Sequence, residues 1–211
     1  MKKILIFGLP RTGTTVLQKH LGRSLNIKGY NEPFNDSEYR KNIGDPYQWV
    51  EKLDRGIIKV LAADLDYVNL KDLISAGKFD SIIITHRRSL TDLCISLYYA
   101  EQVTQQYHYI EPPTSIIPFI FPLEFIDTVM VSYRWYKETL NNLNKNSIPY
   151  TVFDYDKYQE GALQIINGVT VCSTTESTYT IGTVSANIPY STVCLNYKEV
   201  KTIIDKIQSI E

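Results

Sequence analysis

Near the amino terminus, the segment Gly8 to Thr15 (GLPRTGTT) joins an apolar run to a stretch with helical periodicity. A strand, a tight glycine-containing loop and a helix start form a geometry that binds phosphate, because backbone N–H groups converge on the anion. Nucleotide-hydrolysing loops read GxxxxGK[ST], with a lysine that reaches the phosphates and a hydroxyl that holds Mg²⁺. This segment keeps Gly8 and Gly13 but has Thr14 in place of the lysine, and its positive charge is on Arg11. It therefore predicts binding of a phosphorylated ligand by a loop that lacks the usual lysine.

A second candidate segment follows the apolar run at residues 81–85. Arg88, Asp92 and Ser96 are four residues apart, a spacing that places them on one face of a helix. On that face, Arg88 and Ser96 could bind one anion beside the N-terminal end of the helix. The alternative is a surface ion pair between Arg88 and Asp92, of a kind worth about 0.3–0.5 kcal/mol, with Ser96 as a packing residue.

Together, the two segments resemble the sulfotransferases that use 3′-phosphoadenosine 5′-phosphosulfate (PAPS). In that family, a loop of the type P-[KR]-[ST]-G-T-[ST] after the first strand holds the 5′-phosphosulfate. The matching residues here are Pro10, Arg11, Thr12, Gly13, Thr14 and Thr15. An Arg, Asp and Ser at four-residue intervals cradle the 3′-phosphate in the family, and Arg88, Asp92 and Ser96 match them. The arginine form of the loop is more similar to the bacterial and carbohydrate-type branches.

The resemblance implies a reaction and roles for individual residues. The expected reaction is in-line transfer of the sulfuryl group of PAPS to a hydroxyl or amine acceptor, with PAP as the product and no metal required. Arg11 and the loop amides are expected to stabilise charge on the leaving phosphate. Glu32, after the second predicted strand, is the expected base, since members of these branches often use a glutamate. Tyr155 is expected to approach the adenine.

Other residues leave alternatives open. His108 is the second candidate for the base, because histidine titrates near neutrality. Lys59, within the third predicted strand, either points into the cleft or extends towards solvent. Asp64 follows that strand and could imitate the Mg²⁺-binding aspartate of a P-loop kinase, although the loop lysine is missing. A kinase-like phosphotransferase and a non-catalytic nucleotide-binding module are therefore the alternatives to sulfuryl transfer.

Strand and helix signals alternate along the chain. This alternation predicts an α/β fold with a central parallel sheet of about five strands flanked by helices. The resemblance implies the P-loop-containing nucleotide-hydrolase-like architecture of sulfotransferases. Strands are predicted at residues 3–7, 27–31, 56–61, 81–85 and 149–153, and helices at 14–25, 46–54, 66–76, 88–101 and 124–145. Asn196 and Glu199 predict a helix N-cap with an acid at the third helical position.

Length and composition favour a single domain over residues 1–211. The chain is 44% hydrophobic and 21% charged, enough to bury one substantial core. Residues 98–125, rich in aromatic residues and proline, are expected to form an insert that acts as a lid or acceptor pocket. The alternatives are a loop packed on the core and a partner surface. Residues 170–191, rich in threonine and serine, are expected to fold over the nucleotide.

Charge and cysteine content restrict the remaining classes. A net charge of −1 argues against nucleic-acid binding by a basic surface. Three cysteines without CxxC or Cys/His spacing favour neither a disulfide framework nor a zinc site. No apolar run has the length of a signal peptide core or a membrane span. We expect a cytoplasmic protein that acts on a small-molecule or carbohydrate acceptor.

Overall fold

The computed structural model describes residues 2–35, 37–104, 117–173 and 190–210. The chain divides into two compact units. The first contains residues 1–86 and 132–175, and the second contains residues 87–131 and 176–211. His108 lies outside the described residues, as do parts of the two segments that were predicted to form an insert and a nucleotide cover.

A parallel sheet of five strands lies in the described part of the first unit, in the order β2-β3-β1-β4-β5. The strands are β1 (Lys3–Gly8), β2 (Gly29–Tyr30), β3 (Gly56–Leu61), β4 (Ser81–His86) and β5 (Thr151–Asp154). The central strand β1 pairs with both β3 and β4. β1 and β3 are buried along their whole length, as expected for parallel strands covered on both faces. The predicted α/β fold with a parallel central sheet is confirmed.

Helices follow the strands in most of the predicted places. In chain order, they are α1 (Thr14–Leu25), α2 (Ser37–Ile43), α3 (Pro46–Lys52), α4 (Leu70–Gly77), α5 (Leu90–Tyr98), α6 (Phe125–Lys145), α7 (Tyr155–Gln159), α8 (Tyr190–Val193) and α9 (Tyr197–Ile210). A 3-10 helix at Ala62–Asp66 follows β3, and a π-helix at Tyr99–Val103 follows α5. Among the described residues, no helix combines the length and apolar character that crossing a bilayer requires.

A short hairpin follows the edge strand β5. Its strands are β6 (Gln164–Ile166) and β7 (Val169–Val171), which pair antiparallel. The side-chain amide of Gln164 bonds to both backbone groups of Asp154, accepting from its N–H at 2.9 Å and donating to its carbonyl at 2.7 Å. This hairpin was not predictable from the sequence, because strands of three residues show too little alternation of polar and apolar residues.

The second unit is organised around aromatic packing. Rings of Tyr98, Phe121 and Phe125 lie 5.2–5.8 Å apart, and Phe119 packs on Tyr98 at 5.7 Å. The side chain of Asn196 bonds to both backbone groups of Phe121, at 2.8 and 2.9 Å. Asn196 lies directly before α9, and its backbone carbonyl accepts from Val200 at 3.1 Å, so the predicted N-cap position is confirmed. Its side chain bonds instead to the loop before α6.

Candidate functional site

The loop between β1 and α1 has a backbone suited to binding an anion. Arg11 and Gly13 have left-handed φ values of 64° and 80°. Gly13 is the N-cap of α1 and has no side chain to cap it, and the first turn contains no acidic residue. The first backbone bond of the helix runs from the Leu17 N–H to the Gly13 carbonyl at 3.0 Å. Amides before that bond have no acceptor within the helix, so they can bind an anion.

Two threonines hold this loop in place. The Thr12 hydroxyl donates to the Leu9 carbonyl at 2.6 Å and shares a 2.6 Å hydrogen bond with the hydroxyl of Thr85, on β4. Because Thr12 has given its one proton to Leu9, Thr85 is the donor in the second bond. A Cβ on Gly8 would lie 1.9 Å from Thr85 Oγ1. Glycine is therefore required at position 8 by close packing, and the Thr12 side chain is engaged in supporting the loop.

Tyr155 supports the same loop from the start of α7. A Cβ on Gly13 would lie 2.3 Å from Tyr155 Cδ2, so the ring packs directly on this glycine. Tyr155 is 6% exposed and also stacks on Tyr158, with ring centroids 6.1 Å apart. The structure thus places Tyr155 beside the predicted phosphate loop, and its contact with adenine stays a prediction.

Lys59 is the buried cation of this site. It is 1% exposed, and its Nζ lies 2.6 Å from Glu32 Oε1 and 2.8 Å from Thr15 Oγ1, to which it donates a hydrogen bond. Burial lowers the pKa of the Lys59 ammonium, and the Glu32 carboxylate beside it acts in the opposite direction. Of the two orientations that the sequence left open, the structure shows the inward one. A lysine within the otherwise apolar strand GIIKVL was the available signal.

The contact with Thr15 has a specific chemical meaning. Thr15 occupies the position at which a nucleotide-hydrolysing loop has the hydroxyl that binds Mg²⁺. Here that hydroxyl accepts a hydrogen bond from an ammonium group of the protein. A lysine of β3 therefore places a positive charge next to a loop that has no lysine of its own.

Glu32 reaches this cluster from a strained backbone position. Its φ is 49°, although a residue before proline is normally extended, and Pro33 follows it. Its second carboxylate oxygen accepts from Asn35 Nδ2 at 3.0 Å, and a quarter of the side chain is exposed. Lys59 therefore contacts both Glu32, the predicted base, and Thr15, at the end of the predicted phosphate loop. Strain of this kind is often found at functional sites, where the surrounding contacts maintain it.

Asp64 lies in the 3-10 helix after β3 and is 1% exposed. Its Oδ2 accepts from the Leu61 N–H at 2.8 Å, while Oδ1 has no hydrogen-bond partner among the described residues. Burial raises the pKa of this carboxyl to about 6. Within the described ranges, no three His, Cys, Asp or Glu side chains are grouped in a way that could hold a metal ion.

The second predicted signature lies in the second unit and differs from expectation. Helix α5 begins at Leu90, after the N-cap Ser89, so Arg88 precedes the helix and the predicted helical face does not include it. The Ser89 hydroxyl accepts from the Asp92 N–H at 3.0 Å. This correction has a clear physical reason: serine followed three residues later by an acid is a helix start signal.

Of the remaining two residues of that signature, Asp92 bonds to another residue of this unit and Ser96 is buried. The Tyr197 hydroxyl donates to Asp92 Oδ1 at 3.0 Å, and burial raises the pKa of Tyr197 to about 12. Ser96 is 1% exposed. Contacts of Arg88 and Ser96 with a 3′-phosphate stay predictions.

Comparison with known proteins gave structural similarity only. No protein-family profile matches the sequence, and no curated protein matches it either. Deoxyadenosine kinase from M. mycoides with bound dCTP is similar at 16% identity and a TM-score of 0.41, over 73% of this chain and 90% of that chain. Shikimate kinase from Aquifex aeolicus is similar at 15% identity and a TM-score of 0.27, over 69% and 98%. These scores are too low to distinguish phosphoryl from sulfuryl transfer in this chain.

Proposed function

We propose that the chain transfers a sulfuryl group from PAPS to a hydroxyl or amine acceptor without a metal ion. The observation that supports this most directly is the Lys59 ammonium, 2.8 Å from Thr15 Oγ1. Kinases with a P-loop use Mg²⁺ at that hydroxyl to neutralise the charge of a triphosphate. A sulfuryl group carries less negative charge than a γ-phosphoryl group, so the proposal assigns its stabilisation to one ammonium and one guanidinium in place of a metal ion.

In the proposed reaction, the loop binds the 5′-phosphosulfate through its amides and Arg11. Pro10, Thr12, Gly13 and Thr14 belong to the same loop, and Arg88, Ser96 and Tyr155 are the proposed contacts of the 3′-phosphate and adenine. Glu32 takes the proton of the acceptor as the acceptor oxygen forms its bond to sulfur. The bond from sulfur to the phosphate oxygen breaks, and PAP leaves with the new negative charge.

Lys59 and Glu32 would act in sequence in this reaction. The Lys59 ammonium and the Glu32 carboxylate neutralise each other across 2.6 Å. When Glu32 accepts a proton, its charge is lost and the ammonium of Lys59 becomes available to the leaving phosphate. Preorganised donors of this kind are usually the largest contribution to catalysis.

A kinase-like phosphotransferase is the second candidate, and Asp64 is the observation that favours it. A buried carboxylate oxygen without a hydrogen-bond partner among the described residues, just after β3, could become a ligand of Mg²⁺. Against it, the carboxyl has a pKa raised to about 6, so part of the population is protonated near neutral pH.

Isothermal titration separates the two candidates. We expect PAP to bind in the presence of EDTA, and ATP with Mg²⁺ to bind at least 10-fold more weakly. Arg11→Ala should weaken PAP binding, and Arg23→Ala, a change of the same type in the last turn of α1, should not. Absence of PAP binding, together with Mg²⁺-dependent binding of ATP, would refute sulfuryl transfer and support the kinase.

A further inference from the structure

A cavity of about 370 Å³ lies within the first unit, away from the residues of the phosphate loop in its lining. One wall is the C-terminal half of α6, and the other is the segment from Leu65 to Lys71. Cavities of this size are within the range that small-molecule ligands occupy. Nothing in the proposed reaction uses this cavity.

The wall formed by α6 has one aromatic side chain and several polar ones. Trp135, Thr139 and Asn142 line the cavity, and their spacing of four and three residues places them along one face of α6. Asn146, just after the helix ends at Lys145, also lines the cavity. Trp135 is half-buried. The indole therefore offers a flat apolar surface in a cavity that also contains amide and hydroxyl groups.

Several polar side chains of this wall are available to a ligand. Within the described part of the chain, Glu138, Thr139 and Asn142 form no side-chain hydrogen bond or ion pair. Thr139 is only 9% exposed. A largely buried hydroxyl that faces a cavity normally finds a partner there, in water or in a ligand.

Charge restricts the class of ligand. The ionisable side chains in the lining are Lys71 and Glu138, whose charges cancel. The cavity therefore offers no excess of positive charge for a phosphate and no excess of negative charge for an amine. A neutral ligand that is rich in hydroxyl groups matches this lining, because the side-chain amides can both donate to and accept from hydroxyls, and the Glu138 carboxylate accepts from them.

We propose that this cavity is a binding site for a neutral pyranose sugar, with the apolar face of the sugar ring on Trp135 and its hydroxyls bonded to Glu138, Thr139 and Asn142. The proposal is independent of the PAPS reaction, since no phosphorylated ligand and no residue of the phosphate loop takes part in it.

Tryptophan fluorescence tests the site in the full chain. The chain has two tryptophans, Trp49 and Trp135, so Trp49→Phe leaves the cavity residue as the fluorophore. The probes are methyl β-glucoside, methyl β-galactoside, N-acetylglucosamine and lactose, each titrated to ~50 mM, which detects millimolar affinity. We expect a saturable change in emission with at least one probe. Trp135→Phe, which leaves Trp49 packed on Tyr30 and Phe34, should give no response.

Matched amide variants locate the bound sugar. Loss of one hydrogen bond should weaken binding about 2- to 10-fold in Asn142→Ala. Asn141→Ala, one position away on α6 and outside the cavity lining, should bind as the parent does, and circular dichroism should show that both variants are folded. The proposal is overturned if no probe changes the emission of Trp135 or if the two variants bind equally. A saturable response to adenosine, with none to the sugars, would overturn the sugar assignment.

Discussion

Two strand-to-helix turns of this protein both have an arginine before the helix, but the two helices begin differently. The turn from β1 to α1 has Gly13 as an N-cap with no side chain and no acid in the first helical turn. At the turn from β4 to α5, the Ser89 hydroxyl accepts a hydrogen bond from the Asp92 N–H, and the Asp92 side chain adds a negative charge to the first helical turn. The first-turn amides of α1 have no side-chain cap and can bind an external anion, whereas in α5 the Ser89 side chain already bonds one of these amides. A sequence motif with an arginine before a helix is therefore insufficient to identify an anion site.

The largest expected effect is that of replacing Lys59, whose ammonium contacts Thr15 at the start of α1. Lys59→Met should reduce the rate of PAP release from PAPS about 100- to 1000-fold, because a preorganised donor to the reacting groups is lost. Lys19→Met, an equal change on the exposed side of α1, is the control and should leave the rate unchanged. Similar rates for the two variants would remove Lys59 from the reaction.

The close packing beneath the turn from β1 to α1 gives the next effect. Gly8→Ala should lower the free energy of unfolding by about 3 kcal/mol, since its Cβ would overlap the Thr85 hydroxyl. Urea unfolding measures this change. The double variant Gly8→Ala with Thr85→Ala should recover part of the loss relative to the sum of the single changes. Strict additivity would show that the two residues are not in contact.

A pH effect is expected from the buried acid after β3. Asp64 has a pKa of about 6 in the folded chain, above the ordinary value of 3.8, so the folded state retains the proton more strongly. Its contribution to stability is present below about pH 4 and is lost as the pH rises through 6. Relative to Asp64→Asn, the wild type should lose on the order of 2–3 kcal/mol between these limits. Asp66→Asn, at an exposed neighbour whose charge is only the smallest cause of the shift, should change the pH profile much less than Asp64→Asn. A flat difference between wild type and Asp64→Asn would contradict the assignment.

The smallest expected effect concerns the stability that the Ser89 cap gives to α5. Ser89→Ala should cost about 1 kcal/mol of stability, the usual value of a serine N-cap. Ser75→Ala removes an exposed hydroxyl that bonds only within α4, and we expect it to be nearly neutral. Thermal unfolding compares the two variants. Equal changes in Tm would mean that the Ser89 bond contributes little.

Much of the fold was predictable because buried parallel strands are apolar runs. The strands predicted at residues 56–61 and 81–85 agree closely with β3 and β4. The glycine-containing turn from β1 to α1 was also predictable, since Gly8 is fixed by close approach and Gly13 by its left-handed φ. In contrast, the start of α5 was misplaced, although Ser89 was a stronger cap signal than Arg88.

The chemistry of the site was less accessible from sequence. Local spacing contains no information about which residues meet across neighbouring strands. The bond between Lys59 and Thr15 joins residues 44 positions apart, and the contact of Asn196 with Phe121 joins residues 75 apart. Both contacts depend on tertiary packing. The contact of Glu32 with Lys59 was not predictable either, because the sequence around Glu32 indicates only a turn before a proline.

The side chain of Gln164 has a consequence for solubility. Strands at the border of a sheet carry unpaired backbone groups that recruit strands from other molecules. At one border, β2 is only two residues long; at the other, the Gln164 carboxamide bonds to the peptide groups of Asp154 as an additional strand would. Both features reduce the number of unpaired backbone groups at the borders of the sheet, β2 by its short length and β5 by the amide of Gln164 at Asp154.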